Sequence, residues 1–600
     1  MEFEEAPSPV DPEVRAYVYS LVSALGGTGT DEDGHYILGD DALACLKDLK
    51  KWLKLYDEKA NRLDVARCLA EANLVEGDLL EILGAWPEDG TEDKVKLKIA
   101  LSCLELLVPL TWPMEKNDSQ MTVNHHRHVP YIQLAQSSYK RAVLDSQSKT
   151  ILRTAVRIGL PSIAIPMSER TTRDEGIIKL ILYLFRNLSI ISTTGESKEG
   201  PTSRSATIEA FHHQDVLALI LTICSNMGED FNTQDMVILE LLFHLLKGVS
   251  PEKLFMDQAQ LQKHGSNELG ALLAKEKNMH RSYAKNAPSR HNRFGTMIWV
   301  KRDEPGKVST VSGQDSLKDG QHALSKMDQS KKWNRPKQRS REVEKANDRF
   351  DVPVTLTNNA NTHLRAFIEE FLDSGFNPLF NHVRRAIERE ADRVFEIHTQ
   401  QFFYLISWFL EAERVRRQKK HEAEKKSKNN KIAETFEADS FALVASVLTQ
   451  ETFVLLNRFM QDRLDMKAWR EVNAGTMCFT QILLIVQDMA ESSLEEDQEI
   501  AENIQNRIFY EETTHDRIIA ILRGYKDQGF GYLDSCTELS HVFLRMLERY
   551  ARENVDLQVR SKRRARKKRK QKAAASFQRR RCRRRCRQRR RWRIRNGRCS

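Results

Sequence analysis

The spacing of apolar residues constrains the fold of this chain more than any other feature. Leu46, Leu49, Leu53 and Tyr56 fall at i, i+3, i+7 and i+10. Leu97, Leu101, Leu104 and Val108 form a second stripe, Ile177, Ile181, Leu184 and Leu188 a third, and Val216, Leu219, Ile223 and Met227 a fourth. Residues three and four apart share one side of an α-helix, so each set marks a helix with one apolar face. Asp40 and Asp41 stand ahead of the first stripe as candidate N-caps. Pro109 is expected to stop the second stripe, and "MVILELLFHLLKG", Met236 to Gly248, ends on the glycine that helix C-termini favour. No series of strands alternating with hairpin turns is visible. Each one-sided helix must bury its stripe on a neighbour, and no strict sequence period emerges. The expected fold is all-α: an irregular armadillo- or HEAT-like helical stack.

The pattern stops near Ser250 and resumes near Asn361. In "THLRAFIEEFLDSGFNPLF" the residues Leu364, Phe367, Ile368, Phe371 and Leu372 share a face. Stripes continue through "FFYLISWFL", "FALVASVLTQETFVLLNRFM", "CFTQILLIVQ" and "HVFLRMLERY". The interval between the two helical stretches has too little apolar surface to offset the entropy of ordering it. The division that follows is a helical-repeat half over 1–250, a long polar and basic loop, mostly disordered, over 251–360, a second helical half over 361–558, and a basic disordered tail over 559–600. "EAERVRRQKKHEAEKKSKNNKIAE", Glu411 to Glu434, reads as a solvated helix end and loop.

Charge is distributed unevenly. Lys562 to Arg598 holds 22 Lys and Arg and no acid, so the net charge of +10 leaves −12 for Met1 to Ser561. A basic tail on an acidic body points to nucleic acid or nuclear targeting. Cys45, Cys68, Cys103, Cys224, Cys478 and Cys536 lie in apolar-periodic stretches and read as buried thiols; with an odd total of nine, a disulfide framework is not expected. "MEFEEAPSPVDPEV" is acidic and Pro-rich, unlike a signal or transit peptide. The longest apolar run, Phe402 to Leu410, is too short to span a bilayer. Together these predict a soluble intracellular protein.

No catalytic constellation emerges, so no enzyme, metal or cofactor is expected. "NHHRH", Asn124 to His128, lacks a partner ligand at zinc spacing and reads as a surface loop. "FHHQD", Phe211 to Asp215, looks like a helix start, and "GGTGT", Gly26 to Thr30, lacks the Gly-Lys-Ser/Thr end of a P-loop and reads as a turn. Within the polar interval, "SRHNRFGTMIWV" (Ser289 to Val300) places an apolar cluster beside a basic collar. An apolar cluster in a polar segment can dock a partner groove. The residues expected to do so are Arg290, Arg293, Phe294, Gly295, Ile298 and Trp299; the same cluster folding back on the chain's own helices is the other reading. Duplex DNA is expected to meet phosphate-binding cations at Arg290, Arg293, Lys301, Arg302, Lys331, Lys332, Arg335, Lys337 and Arg339, and in the tail at Lys562, Arg563, Arg564, Lys567 and Lys568. The run from Phe577 reads either as an Arg-rich nucleic-acid segment or as translation past a true exon end.

Several stretches together resemble the Timeless family in its fungal branch. "GIIKLILYLFRNLSII" resembles a late N-terminal helix with its Arg-Asn pair, Arg186 and Asn187. "PSRHNRFGTMIWV" is similar to the family's Arg-His-x-Arg-Phe-Gly segment. "TLTNNANTHLRAFIEEFLDSGFNPLF" resembles the helix resuming after its loop, and "ELSHVFLRMLERYAREN" the end of its N-terminal region. The resemblance runs from Met1 to about Lys572, and Ser576 onward resembles nothing in the family. It implies a non-enzymatic nuclear scaffold of a replication fork protection complex. It implies a heterodimer with a small partner of the Tipin/Csm/Swi type, contact with the replicative helicase, duplex DNA and topoisomerase I, and roles in the replication checkpoint, DNA repair and meiotic chromosome segregation. It implies no membrane association. A helical-repeat nuclear transport adaptor is the alternative; it would use a concave face and need no DNA affinity, so the basic loop and tail favour the fork scaffold.

Overall fold

The structure is a computed structural model. It describes residues 10–28, 36–59, 62–86, 93–114, 123–145, 150–191, 200–256, 273, 277, 354–390, 392–429, 441–492, 494–526 and 528–553, together with two paired strands at 297–301 and 308–312.

The chain is all-α. Its helices are α1 (Pro12–Leu25), α2 (Ala42–Trp52), α3 (Asp64–Glu71), α4 (Leu80–Gly84), α5 (Lys94–Leu110), α6 (Val123–Leu144), α7 (Ile151–Ala164), α8 (Thr172–Ile190), α9 (Arg204–His213), α10 (Val216–Ser225), α11 (Asp235–Leu246) and α12 (Pro251–Leu254). After the long interval come α13 (Asn358–Glu370), α14 (Phe376–Arg389), α15 (Glu396–Asn429), α16 (Gln450–Met466), α17 (Trp469–Ala490), α18 (Glu495–Tyr510), α19 (Glu512–Arg523) and α20 (Phe530–Glu553). Side-chain caps fix several starts. Asp93 accepts from Val95 and Lys96 N–H, Thr171 and Asp174 form a reciprocal capping box, and Ser203, Thr357 and Thr449 each accept from the N–H three residues on.

Packing follows a rule of three. α2, α5, α8 and α11 touch in series; α3, α6 and α9 form a second row, and α4, α7 and α10 a third. The rows run on across the interval: α11 meets α15, α9 meets α13 and α10 meets α14, and the first row continues from α15 to α17 and α20. A three-helix unit stacked on copies of itself is the armadillo arrangement. The interval thus interrupts a unit, between α11 and α13, and the ladder does not stop there. Its two ends lie together. The Val354 N–H donates to the Gly248 carbonyl at 2.8 Å, and the Asn361 amide to the Leu254 carbonyl at 3.3 Å.

The core follows the apolar stripes. Leu46, Leu49 and Leu53 are buried, as are Ile181, Leu184 and Leu188, the set Val216, Leu219, Ile223 and Met227, and the set Leu364, Phe367, Ile368, Phe371 and Leu372. At the crossing into the second stretch the core is aromatic. Phe371 stacks on Phe409 at 4.9 Å, Phe376 on Phe380 at 4.4 Å, and Phe403 meets Phe459 at 4.8 Å. All six Cys of the described residues are buried and free. No helix among the described residues is long and apolar enough to cross a membrane.

The structure corrects several local expectations. Asn124 to His128 is part of α6, and His128 is buried, because its imidazole sits 3.0 Å from Asp64 of α3. Phe211 to His213 end α9 and do not start a helix; the chain turns at Asp215 (φ 62°) into α10. α5 runs one residue past Pro109. Asp41 holds the N-cap position of α2, but its side chain makes no capping bond. Gly26–Thr28 is a strand, β1, paired antiparallel with β2 (Tyr36–Leu38). Gly26 is needed there, since a Cβ would stand 2.5 Å from the Ile37 carbonyl oxygen. The start of the charge-dense stretch is interior: α15 runs unbroken to Asn429, and the fully buried Glu413 accepts from Arg416 at 2.7 Å and Arg417 at 2.8 Å. Within the interval expected to be disordered, β3 (Met297–Lys301) pairs antiparallel with β4 (Val308–Ser312), Trp299 opposite Thr310.

Candidate interaction surfaces

Three of the residues expected to dock a partner or meet DNA fall on described backbone: Ile298, Trp299 and Lys301, all in β3. Arg290, Arg293, Phe294, Gly295, Arg302, Lys331, Lys332, Arg335, Lys337, Arg339, Lys562, Arg563, Arg564, Lys567 and Lys568 lie outside the described residues.

The Arg186–Asn187 pair has a clear structural role. α5 ends at Leu110, and its last carbonyls need donors from elsewhere. The Asn187 amide, buried, donates to the Val108 carbonyl at 3.1 Å. The Gln136 amide of α6 donates to the Leu110 and Trp112 carbonyls at 3.1 and 2.7 Å. Arg186 then lies with its guanidinium 4.6 Å from the Trp112 ring centre and its Nε 2.5 Å from Glu240 of α11.

Glu240 begins a polar seam between the helices before and after the interval. Its other oxygen stands 2.8 Å from His398 Nε2 at the start of α15. Burial pushes the Glu240 carboxyl up, but His398 and Arg186 outweigh it and hold it below the usual carboxylate range. One turn away, Asp235 is fully buried and takes both Nη groups of Arg393, at 2.5 and 3.0 Å, with His382 at 3.5 Å. The seam continues in the Trp408 indole N–H, which donates to the Val249 carbonyl at 2.7 Å. Sequence reading missed these residues, because each partner lies on another segment and no local pattern marks it.

Two buried carboxyls have raised pKa values. Asp57 is buried at the edge of a cleft of about 630 Å³ bounded by Trp112, Ile132 and Tyr139. Burial pushes its carboxyl up to about 7, against the pull of two backbone donors. Those donors, Val65 and Ala66 N–H at 3.0 and 2.7 Å, occupy both oxygens, so Asp57 caps α3 and is not poised for proton transfer. Glu411 of α15 is pushed up to about 7 by burial, reinforced by Glu252. Among the described residues, no group of three or more His, Cys, Asp or Glu is arranged to hold a metal ion.

The profile of the family described as Timeless protein matches residues 35–300. The chain is 65% identical over 568 residues, 94% of its length, to the topoisomerase 1-associated factor 1 of Neosartorya fischeri. This chain belongs to the Timeless family. The relative of the same name in Aspergillus fumigatus is also 65% identical over 94% of the chain, and that of Aspergillus terreus 62% identical over 94%. The Timeless-family chain described here spans about half the length of these curated relatives, 48% of the first two and 50% of the third. The matched region takes in α2 to α12 and β3 up to Val300, and so includes the Arg186–Asn187 pair and both seam carboxylates of α11.

Proposed function

We propose that this chain is a non-enzymatic scaffold that acts at DNA replication forks in the nucleus. The observation that carries the reading is the 65% identity over 94% of the chain to relatives named topoisomerase 1-associated factor 1. The architecture supports it. A ladder of three-helix units offers long surfaces for partners, and the polar groups buried in it are used to hold helices together. In this reading the chain pairs with a small partner of the Tipin/Csm/Swi type, travels with the replicative helicase and touches parental duplex DNA through the cations of the interval and the tail. Topoisomerase I is a further partner, after the name of the relatives. Support of the checkpoint, repair and meiotic segregation follows from holding stalled forks together.

The test is co-purification of the full chain from replicating cells, with the accompanying proteins identified by mass spectrometry. Helicase subunits and one small stoichiometric partner are expected. Recovery of pore-transport factors in their place would favour the carrier reading.

A further inference from the structure

We propose that the face shared by α2, α5 and α8 is a docking groove for an acidic amphipathic helix of a partner protein. This rests on the groove alone and not on the role at forks. A cavity of about 460 Å³ crosses these three rungs of the first row. Each rung contributes one exposed cation: Lys47 from α2, Lys98 from α5 and Arg173 from the first turn of α8. Among the described residues, none of the three side chains makes an ion pair or hydrogen bond. Their neighbours do: Lys50 pairs with Glu105 at 2.5 Å and Lys51 with Asp48 at 2.9 Å. Asp174, next to Arg173, is engaged in the capping box with Thr171.

Three unpaired cations converging on one groove run against the composition, since Met1 to Ser561 carries a net −12. Between them Leu43, Leu101 and Ile177 form an apolar strip along the floor; Ser102 and Glu105 also line the groove, with the Glu105 carboxylate held by Lys50 and the Ser102 hydroxyl by the Lys98 carbonyl. Gly176 leaves room over α8: a Cβ built there meets nothing within 4 Å. Apolar strip and cationic rim, with Glu105 already neutralised by Lys50, together specify the occupant. A helix with leucine-like residues at i and i+4 would cover the floor, and carboxylates flanking that stripe would reach Lys47, Lys98 and Arg173. Duplex DNA matches the cations but not the floor, because its backbone offers phosphates and no apolar stripe. Charge complementarity of this kind sets partner choice and encounter rate more than raw affinity.

The probe is a displayed library of 15-residue peptides, selected on the full chain and counter-selected on a full chain carrying K47E, K98E and R173E. The counter-selection discards peptides held by the basic tail. The surviving set should be rich in Asp and Glu flanking apolar residues at i, i+4 spacing. One survivor, measured by fluorescence anisotropy, should lose at least about ten-fold in affinity in the triple variant and in Gly176→Leu, which fills the groove. Circular dichroism of both variants should match the parent. A 20-base-pair duplex should bind parent and triple variant equally. The proposal is overturned if no peptide distinguishes the two chains, or if survivors bind equally well after their apolar residues are changed to Ser. It is also overturned if the duplex loses affinity in parallel with the peptide, which would make the groove a nucleic-acid contact.

Discussion

Asp235 shows what a single residue does in this fold. Its carboxylate is fully buried, and two of its contacts come from one guanidinium, that of Arg393. Removing one partner of a buried pair costs more than the pair contributes, because the remaining charge loses its compensation. Arg393→Ala should therefore lower unfolding stability by about 3 kcal/mol, read by chemical denaturation. Asp235→Asn combined with Arg393→Ala should recover part of that loss. Glu411 gives a pH signature. Its folded pKa, about 7, lies above its ordinary value of 4.5, raised by burial first and then by Glu252 and Glu538, with Arg414 opposing. Whatever stability it contributes is present at low pH and is lost as pH rises from about 4.5 through 7. Glu411→Gln should thus raise stability at pH 8 by roughly 1–3 kcal/mol and have little effect at pH 4.5, so the two melting profiles converge at acid pH. Residues of this kind were illegible in the sequence. His128 stood in a polar run whose natural reading was a loop; its partner Asp64 lies on another helix, and nothing around either residue signals the other. Arg416 and Arg417 looked solvated, because a charged sequence pattern does not reveal a buried Glu413 one turn away.

At the scale of elements the sequence was far more readable. Stripes such as Leu364, Phe367, Ile368, Phe371 and Leu372 became buried faces as spaced, because a one-sided helix has few other ways to hide its apolar side. The three-helix period was not readable, since packing between non-adjacent helices leaves no mark on either. Close approaches between helices were equally hidden. On α17, a Cβ at Gly475 would stand 2.7 Å from Met460 of α16. Gly475→Val should destabilise by about 2–3 kcal/mol through overpacking, whereas Gly176→Ala, in open space, should stabilise by up to about 1 kcal/mol. Thermal melting of the two variants should move in opposite directions. The junction makes a further prediction. α12 packs on α15, and Val354 and Asn361 bond back to Gly248 and Leu254, so the chain leaves and returns at one place. Replacing residues 258–350 with a short flexible linker should preserve cooperative melting, because loop closure depends only weakly on length. Extending the deletion through Pro251 to Met256 should not be tolerated, since Pro251, Leu254 and Phe255 are buried.

For the whole molecule, the acidic body and the basic segments outside it separate two kinds of contact. Duplex binding through cations that meet phosphate should be independent of sequence and steeply dependent on salt. In a chain ending at Ala575, changing Lys331, Lys332 and Arg335 to Ala should flatten the log-log salt slope by up to about 3 units, with equal loss across unrelated duplexes. An unchanged slope would move the contact onto the helical ladder. The ladder itself has a consequence in time. Asp235 and Arg393 are 158 residues apart in the chain, as are Glu240 and His398. A ribosome adding roughly 5–20 residues per second takes about 8–30 s to travel that distance. For that interval Asp235 stands without Arg393, and Glu240 has Arg186 of α8 but not His398. The edge of the nascent ladder is then apolar and, at Asp235, anionic, and it stays so until the segment from Arg393 through α15 has been made.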